Sequence, residues 1–180
     1  MVLAGSTVND ERQYLAQLQK KATRMAVNLL WIGERIGHTR SEVQGEKTYS
    51  LWDAYAHADM VTYPSYWEGW GNQLLEAVRA KLPIALFPYE IYLSDISPSG
   101  FSVIELGESE SLQWDAFSLA QLPQAQIEEA VKRAIRVLFD AHARSIMVDS
   151  NFMIGQRAFS MERLRLLLEP YMTAWSKTLW

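Results

Sequence analysis

YPSYWEGWGNQLLEAVRAK, residues 63–81, combines three signals in one short run. It ends a strand, turns through a loop interrupted by glycines, and opens a helix near Gly71 or Asn72. Glu68 and Glu76 stand on either side of that opening, eight positions apart. With the helix starting between them they cannot share a helical face, so one acid belongs to the loop and the other lies two turns further on. On a wheel of 3.6 residues per turn, Leu74, Leu75, Val78 and Leu82 fall on one side and Glu76 nearly opposite. The leucine side predicts packing on a sheet. Gly69 and Gly71 remove two Cβ atoms where the chain must turn tightly. The open N–H groups of a first helical turn, at the positive end of the helix dipole, suit an anion. Carboxylates beside such a corner point to a sugar or ribose next to a phosphate.

Outward from this corner the chain alternates. Met1 to Ala4 reads as a buried strand closed by Gly5-Ser6, and Asn9 or Asp10 can cap the helix that carries Leu15, Leu18, Ala22 and Met25. Val27 to Ile32 is a second apolar strand ended by Gly33, which completes a β-α-β unit. Gly37 to Thr48 is polar and without periodicity and reads as a surface excursion; Arg40 and Lys47 within it read as solvated charge, with phosphate contact as the alternative. Ser50-Leu51-Trp52-Asp53 fits a capping box. A helix to about His57 and a strand from Met60 to Tyr63 lead into the central loop. Pro83 is expected to stop the central helix, and Ile84 to Phe87 is the next strand.

Phe101 to Leu106 reads as a further strand, while 107–123 has no clear pattern. Ile127, Val131, Ile135 and Leu138 recur at helical spacing, so an amphipathic helix is predicted from Gln124 to Ala141. A short helix about Ser145 to Gly155 and a last one capped by Ser160 follow. Strands alternating with helices predict an α/β fold, a Rossmann-like parallel sheet with helices on both faces. In such sheets the ligand crevice lies beyond the C-terminal strand ends, where the 64–71 loop opens. One domain is expected over 1–180, including C-terminal helices about 145–180.

Composition narrows the classes. Hydrophobic residues at 49% and charged residues at 21% are ordinary for a soluble globular chain. No apolar run approaches the roughly 18 residues of a membrane span, and no basic segment leads into an apolar one, so the chain reads as cytoplasmic. A formal charge of −4 argues against a nucleic-acid partner. With no cysteine there is no thiolate metal site, and His38, His57 and His142 show no ligand spacing.

The run Glu68-Gly69-Trp70-Gly71-Asn72-Gln73-Leu74-Leu75-Glu76 resembles the E-x7-E motif of retaining glycosyltransferases with the GT-B fold (glycosyl transferases group 1, family 4). Within that family the wider likeness is to mannosylglucosylglycerate synthase-like enzymes. The flanks SLWDAYAHADMVTYPS and AVRAKLPIALFPYEIYLSDI agree, and the likeness is strongest from about Ser50 to Ile96. Two glutamates eight apart are common by chance. The strand, the Gly-x-Gly loop, the helix opening between the acids and the following Lys-Leu-Pro are what give the motif weight.

The resemblance implies the C-terminal, donor-binding half of such an enzyme. Transfer would move a hexosyl group from a nucleoside diphosphate sugar to an acceptor hydroxyl, with retention and usually without a metal or other cofactor. It gives Glu76 to the ribose hydroxyls, Glu68 to the donor sugar, and the N–H groups of Trp70, Gly71, Asn72 and Gln73 to the sugar and diphosphate. Arg35 and Ile36 would present backbone to the base, although a plain strand exit with Arg35 solvated reads equally well. Tyr89 and Tyr92 stand where the family has small residues, so Tyr89 is a candidate for the donor pocket, with packing against the domain as the alternative. Asp95 stands at about the place of an acidic residue common in the family, with capping of the next turn as the alternative.

The family's upstream basic pair, its acceptor-binding N-terminal domain and the first strand of this domain have no counterpart here. The chain is therefore expected to be a fragment, inactive alone, whose partners are a nucleotide sugar and the missing N-terminal domain. The C-terminal aromatics Tyr171, Trp175 and Trp180 would be open to self-association. A non-catalytic α/β binding module and another sugar-nucleotide enzyme such as an epimerase are the competing readings.

Overall fold

The computed structural model describes residues 1–4, 12–116 and 119–178. In chain order these form β1 (Val2–Leu3), α1 (Arg12–Arg24), β2 (Leu30–Trp31), β3 (Ile36–Gly37), β4 (Ser41–Val43), β5 (Glu46–Ser50) and α2 (Leu51–Ala56). There follow β6 (Val61–Tyr63), α3 (Asn72–Arg79), β7 (Ile84–Leu86), β8 (Ile104–Glu105), β9 (Gln113–Trp114), β10 (Ala120–Gln121), α4 (Gln124–Phe139), α5 (Ala141–Phe159) and α6 (Met161–Thr178). This is an α/β fold of the Rossmann type, with each of the predicted strands present and paired in parallel. The predicted Gly5-Ser6 turn and the Asn9 or Asp10 cap lie outside the described residues.

The chain divides into two compact units. One comprises Met1–Ala58 with Gln113–Gln121, the other Asp59–Leu112 with Leu122–Trp180. In the first, β1 and β2 make a parallel ladder, Val2 opposite Leu30 and Leu3 opposite Trp31. The stretch expected to be a featureless excursion is an antiparallel hairpin, β4 against β5, with β3 added in parallel. Its turn is Gln44-Gly45, both at positive φ (53° and 81°), the twist that two-residue hairpins favour. Nothing apolar alternates along SEVQGEKTYS, so the strand signal is weak, and Gln in place of Asn or Asp hides the turn. The capping box at Ser50 forms as expected, with Ser50 N–H donating to Asp53 Oδ2 at 2.9 Å. Asp53 also holds the Arg40 guanidinium, whose Nε lies 2.9 Å from both carboxylate oxygens. The cation read as solvated is therefore paired.

The second unit is built on the parallel sheet β6-β7-β8. Val61 lies opposite Ile84, Tyr63 opposite Leu86, and Ala85 opposite Ile104. Because side chains alternate along a strand, Ile84 and Leu86 enter one layer and Ala85 the other. Ile84 and Leu86 join Leu74, Ala77 and Val78 of α3 and Tyr89, Tyr92, Ile96 and Phe101. Ala85 and Ile104 meet Ala130 and Val137 of α4 and Met147 of α5. Helices thus cover both faces, as a parallel sheet requires. On α4 the side turned inward is Ala130 and Val137, whereas Ile127, Val131 and Ile135 of the predicted stripe are exposed.

α3 ends before Pro83 acts. Lys81 takes the left-handed conformation (φ 54°), Leu82 N–H donates to Ala77 O, and Lys81 N–H donates to Val78 O. That is a Schellman closure, and buried Leu82 follows it. The loop after β7 is compact, with a wide helical turn at Tyr92–Ile96. The turn at Ser97–Ser99 has no side-chain cap, so Asp95 does not play that part. α5 is longer than predicted, starts on an Asp140 side chain that accepts from the N–H groups of His142 and Ala143, and packs closely on α3. A Cβ at Gly155 would stand 2.9 Å from Val78 Cγ1.

Asn151, 1% exposed, ties α5 to the approach of β8. Its Nδ2 donates to Ser102 O and its Oδ1 accepts from Ser102 N–H, both at 2.7 Å. Asn151→Ala should lower the unfolding free energy by about 1–3 kcal/mol, the cost of stranding partly buried polar groups. Asn151→Asp, which turns a second acceptor toward the Ser102 carbonyl, should be at least as harmful. Urea unfolding of the two variants beside the wild type measures both.

Candidate functional site

β6 delivers the chain to the loop at Tyr63, whose carbonyl is held by the Phe87 N–H at 3.1 Å. The loop then runs to Gly71, where φ is +95° and ψ +58°. This left-handed residue is the N-cap of α3, and no side chain caps that end of the helix. Leu74 N–H turns back to Gly71 O at 3.1 Å. The N–H groups of Asn72 and Gln73 belong to the turn whose donors have no acceptor within a helix. Both residues are exposed.

Glycine is required at 71 for a second reason. A Cβ there would lie 2.0 Å from Tyr89 Oη and 2.9 Å from Cζ. The Tyr89 phenol fills that place and donates to the Trp70 carbonyl at 3.0 Å. Tyr89 is 1% exposed, so it supports the loop from inside. Tyr92 packs beside it, ring centroids 5.9 Å apart. Trp70 is half-buried, its ring 5.7 Å from that of Phe159 at the end of α5, so the indole anchors the loop.

Glu68 is half-buried in the loop and Glu76 half-buried on α3. The predicted separation of the two acids by the helix opening is therefore present. Tyr63, which the sequence presents only as the last residue of an apolar strand, lies at the centre of this arrangement. Its hydroxyl donates to Gln73 Oε1 at 3.2 Å. Burial first, then the nearby Glu68 carboxylate, push the Tyr63 phenol far above its ordinary range. Burial, followed by the charge of Glu68, pushes Tyr89 up to about 12. Both phenols are neutral donors at any physiological pH. The signal that could have found Tyr63 is its position: it ends a parallel strand, on the edge where ligand crevices form.

Arg35 and Ile36 belong to the other unit. Arg35 Nε donates to Lys47 O at 3.0 Å, and Ile36 pairs with Tyr49. A cavity of about 350 Å³ opens on the flank of α3, lined by Leu75, Arg79, Phe152, Gln156, Phe159 and Met161. None of Glu68, Trp70, Gly71, Asn72, Gln73, Glu76 or Tyr89 lines it.

The mannosylglucosylglycerate synthase of Thermotoga maritima is 37% identical to the chain over 168 residues, 93% of this sequence. That of Petrotoga mobilis is 34% identical over 168 residues, 92% of this sequence. The chain is a homologue of part of these synthases. It spans 37% of the length of each, a little over a third. No family model and no solved structure matches it. The likeness to glycosyltransferases read from the E-x7-E run is supported by these relatives. No helix among the described residues is long and apolar enough to cross a membrane.

The Gly71–Tyr89 fit can be tested. Gly71→Ala should destabilise the chain by about 2–3 kcal/mol, from the left-handed backbone and the displaced Tyr89 bond. Tyr89→Phe alone should cost about 1–2 kcal/mol. Combined, the two should cost less than their sum, because the phenylalanine clears part of the space the new methyl needs. Denaturant melts of the three variants read the coupling, and strict additivity would contradict the fit.

Proposed function

We propose that the corner formed by the 64–71 loop and the start of α3 holds a nucleoside diphosphate sugar, as the donor site of a retaining hexosyltransferase. The observation that carries the reading is the start of α3, uncapped by any side chain at the buried Gly71, exposed at Asn72 and Gln73, and flanked by one acid before it and one after. In this reading Glu76 accepts from the ribose hydroxyls and Glu68 from hydroxyls of the sugar. The N–H groups of Trp70, Gly71, Asn72 and Gln73 face the sugar and the diphosphate. As the glycosidic bond breaks, negative charge gathers on the leaving phosphate. Dipoles already fixed in place stabilise it without reorganising.

The two glutamates are donor-holding groups and do not act as an acid and nucleophile pair. The leaving phosphate itself assists the incoming hydroxyl, and the reading needs no metal. Tyr89 serves by holding the Trp70 carbonyl. Arg35 and Ile36 are not needed for it. Glycosyl transfer itself is proposed on the strength of the relatives' names, and of this chain we propose donor binding. The cytoplasm is the proposed location. Tyr171, 74% exposed on α6, is the proposed point of self-association; Trp180 lies outside the described residues, as does the side chain of Trp175.

Titration of the chain with GDP-mannose, UDP-glucose and ADP-glucose by calorimetry should find at least one that binds. Glu76→Ala should weaken the nucleotide sugar and the bare nucleoside diphosphate alike, by about 10- to 100-fold, as expected for hydrogen bonds to a charged acceptor. Glu68→Ala should weaken only the nucleotide sugar. Failure of all three to bind would favour the non-catalytic module.

A further inference from the structure

α4 carries two apolar faces. The inward one is Ala130 and Val137 with Ala134 beside them, packed with Ala85 and Ile104 of the sheet and Met147 of α5. The outward one is Ile127, Val131, Ile135 and Phe139, each four positions from the next and exposed by 41, 47, 52 and 84%. Four-residue spacing makes these side chains one ridge along the helix. The ridge is about 18 Å long and is centred about 130° round from the inward face, at 1.5 Å and 3.6 residues per turn.

Neither the fold nor the helix accounts for it. The inward residues already seat α4 on the sheet, and isoleucine and valine are poorer helix formers than the alanine, lysine or glutamate that an exposed position usually carries. A single exposed apolar side chain is ordinary, whereas a contiguous ridge of them marks a contact surface. The polar row beside the ridge indicates what fits it. That row is Glu128, Lys132 and Arg136, again four apart and all exposed, an acid at one end and a base at the other.

We propose that the ridge is the interface of a symmetric dimer, two copies of α4 packed antiparallel about a two-fold axis level with residue 133. In that register Ile127 meets Phe139 of the second copy and Val131 meets Ile135. A two-fold contact uses the same surface on both copies, so each polar row meets its own counterpart. Antiparallel, Glu128 lies beside Arg136 of the second copy, and the pair occurs twice. In a parallel arrangement each charge would face its own like. Lys132 comes near the axis, where Glu129 of its own helix, 3.8 Å away, offsets its charge. Asp140, next in the row, is engaged in capping α5. Ridges of this spacing cross at about 50° when they interlock, which keeps the contact short. One helix from each copy covers less than the roughly 800 Å² a side of a standard interface, so the dimer is reversible and forms in the micromolar range. The surface lies on α4, apart from the contact proposed at Tyr171 of α6, and owes nothing to the donor reading.

Sedimentation equilibrium of the chain over the micromolar range should show a monomer–dimer equilibrium. Ile135→Glu and, as a second variant, Phe139→Ser should each weaken it at least about 10-fold, with the helix content by circular dichroism unchanged because both positions face water. Glu128→Arg and Arg136→Glu should each weaken it by about 5-fold, and the two reversals combined should restore it to within about twofold of the wild type. Tyr171→Ser should leave it intact. A chain that stays monomeric, its ridge left for the remainder of a longer polypeptide to cover, overturns the proposal. So does a dimer that survives both Ile135→Glu and Phe139→Ser, one that Tyr171→Ser abolishes, or a double reversal that restores nothing.

Discussion

A single backbone conformation governs this corner of the molecule. Gly71 lies in the left-handed region, with the Tyr89 hydroxyl in the space where any other residue would place its Cβ. The conformation turns the chain from loop to helix in one step. It leaves the start of α3 without a side-chain cap and the Trp70 carbonyl pointing in, where Tyr89 donates to it. A carbonyl left bare inside would cost about 1–3 kcal/mol. The bond therefore makes this backbone path the favoured one. Loop and core are fixed together, since Tyr89 also packs with Tyr63, Leu74 and Leu86.

The electrostatics follow from the same packing. Glu68 is an acid in a half-buried loop, and its charge reaches two buried phenols, Tyr63 and Tyr89. Water is displaced on that side, so the carboxylate's charge is felt strongly there, and the phenols answer by holding their protons.

How much of this could be read from residue order depends on where the determining contacts lie. Apolar runs bounded by Pro or Gly, such as Ile84 to Phe87, announce their strands because burial on both faces needs nothing else. The Ser50–Asp53 cap is legible because it is local. The β4–β5 hairpin is not, since its residues are polar and its turn uses Gln44. Pro83 draws attention as a helix stop, yet the Schellman turn at Lys81 closes α3 first, and no residue type there advertises it. Asn151 carries no mark in sequence, because its partner Ser102 lies 49 positions away. At the site, the paired glycines and the two acids are visible at once. Tyr89 looks like a ligand contact because an aromatic residue in a loop after a strand is ambiguous. Only burial shows that it faces inward.

Tyr63 illustrates the limit most clearly. In sequence it is one more β-forming residue before a proline, and its ring behaves as that reading requires. Its hydroxyl acquires meaning from Gln73, which belongs to another element and comes within reach because Gly71 turns the chain ahead of α3. A motif written as two glutamates with seven positions between them records one residue of the loop and one of the helix. The phenols packed against that loop lie on the strand before the motif and in the loop after the next strand, and they bond Gln73 and the Trp70 carbonyl. Spacing exposes the first pair, whereas the second emerges only when the folded chain brings hydroxyl and oxygen together.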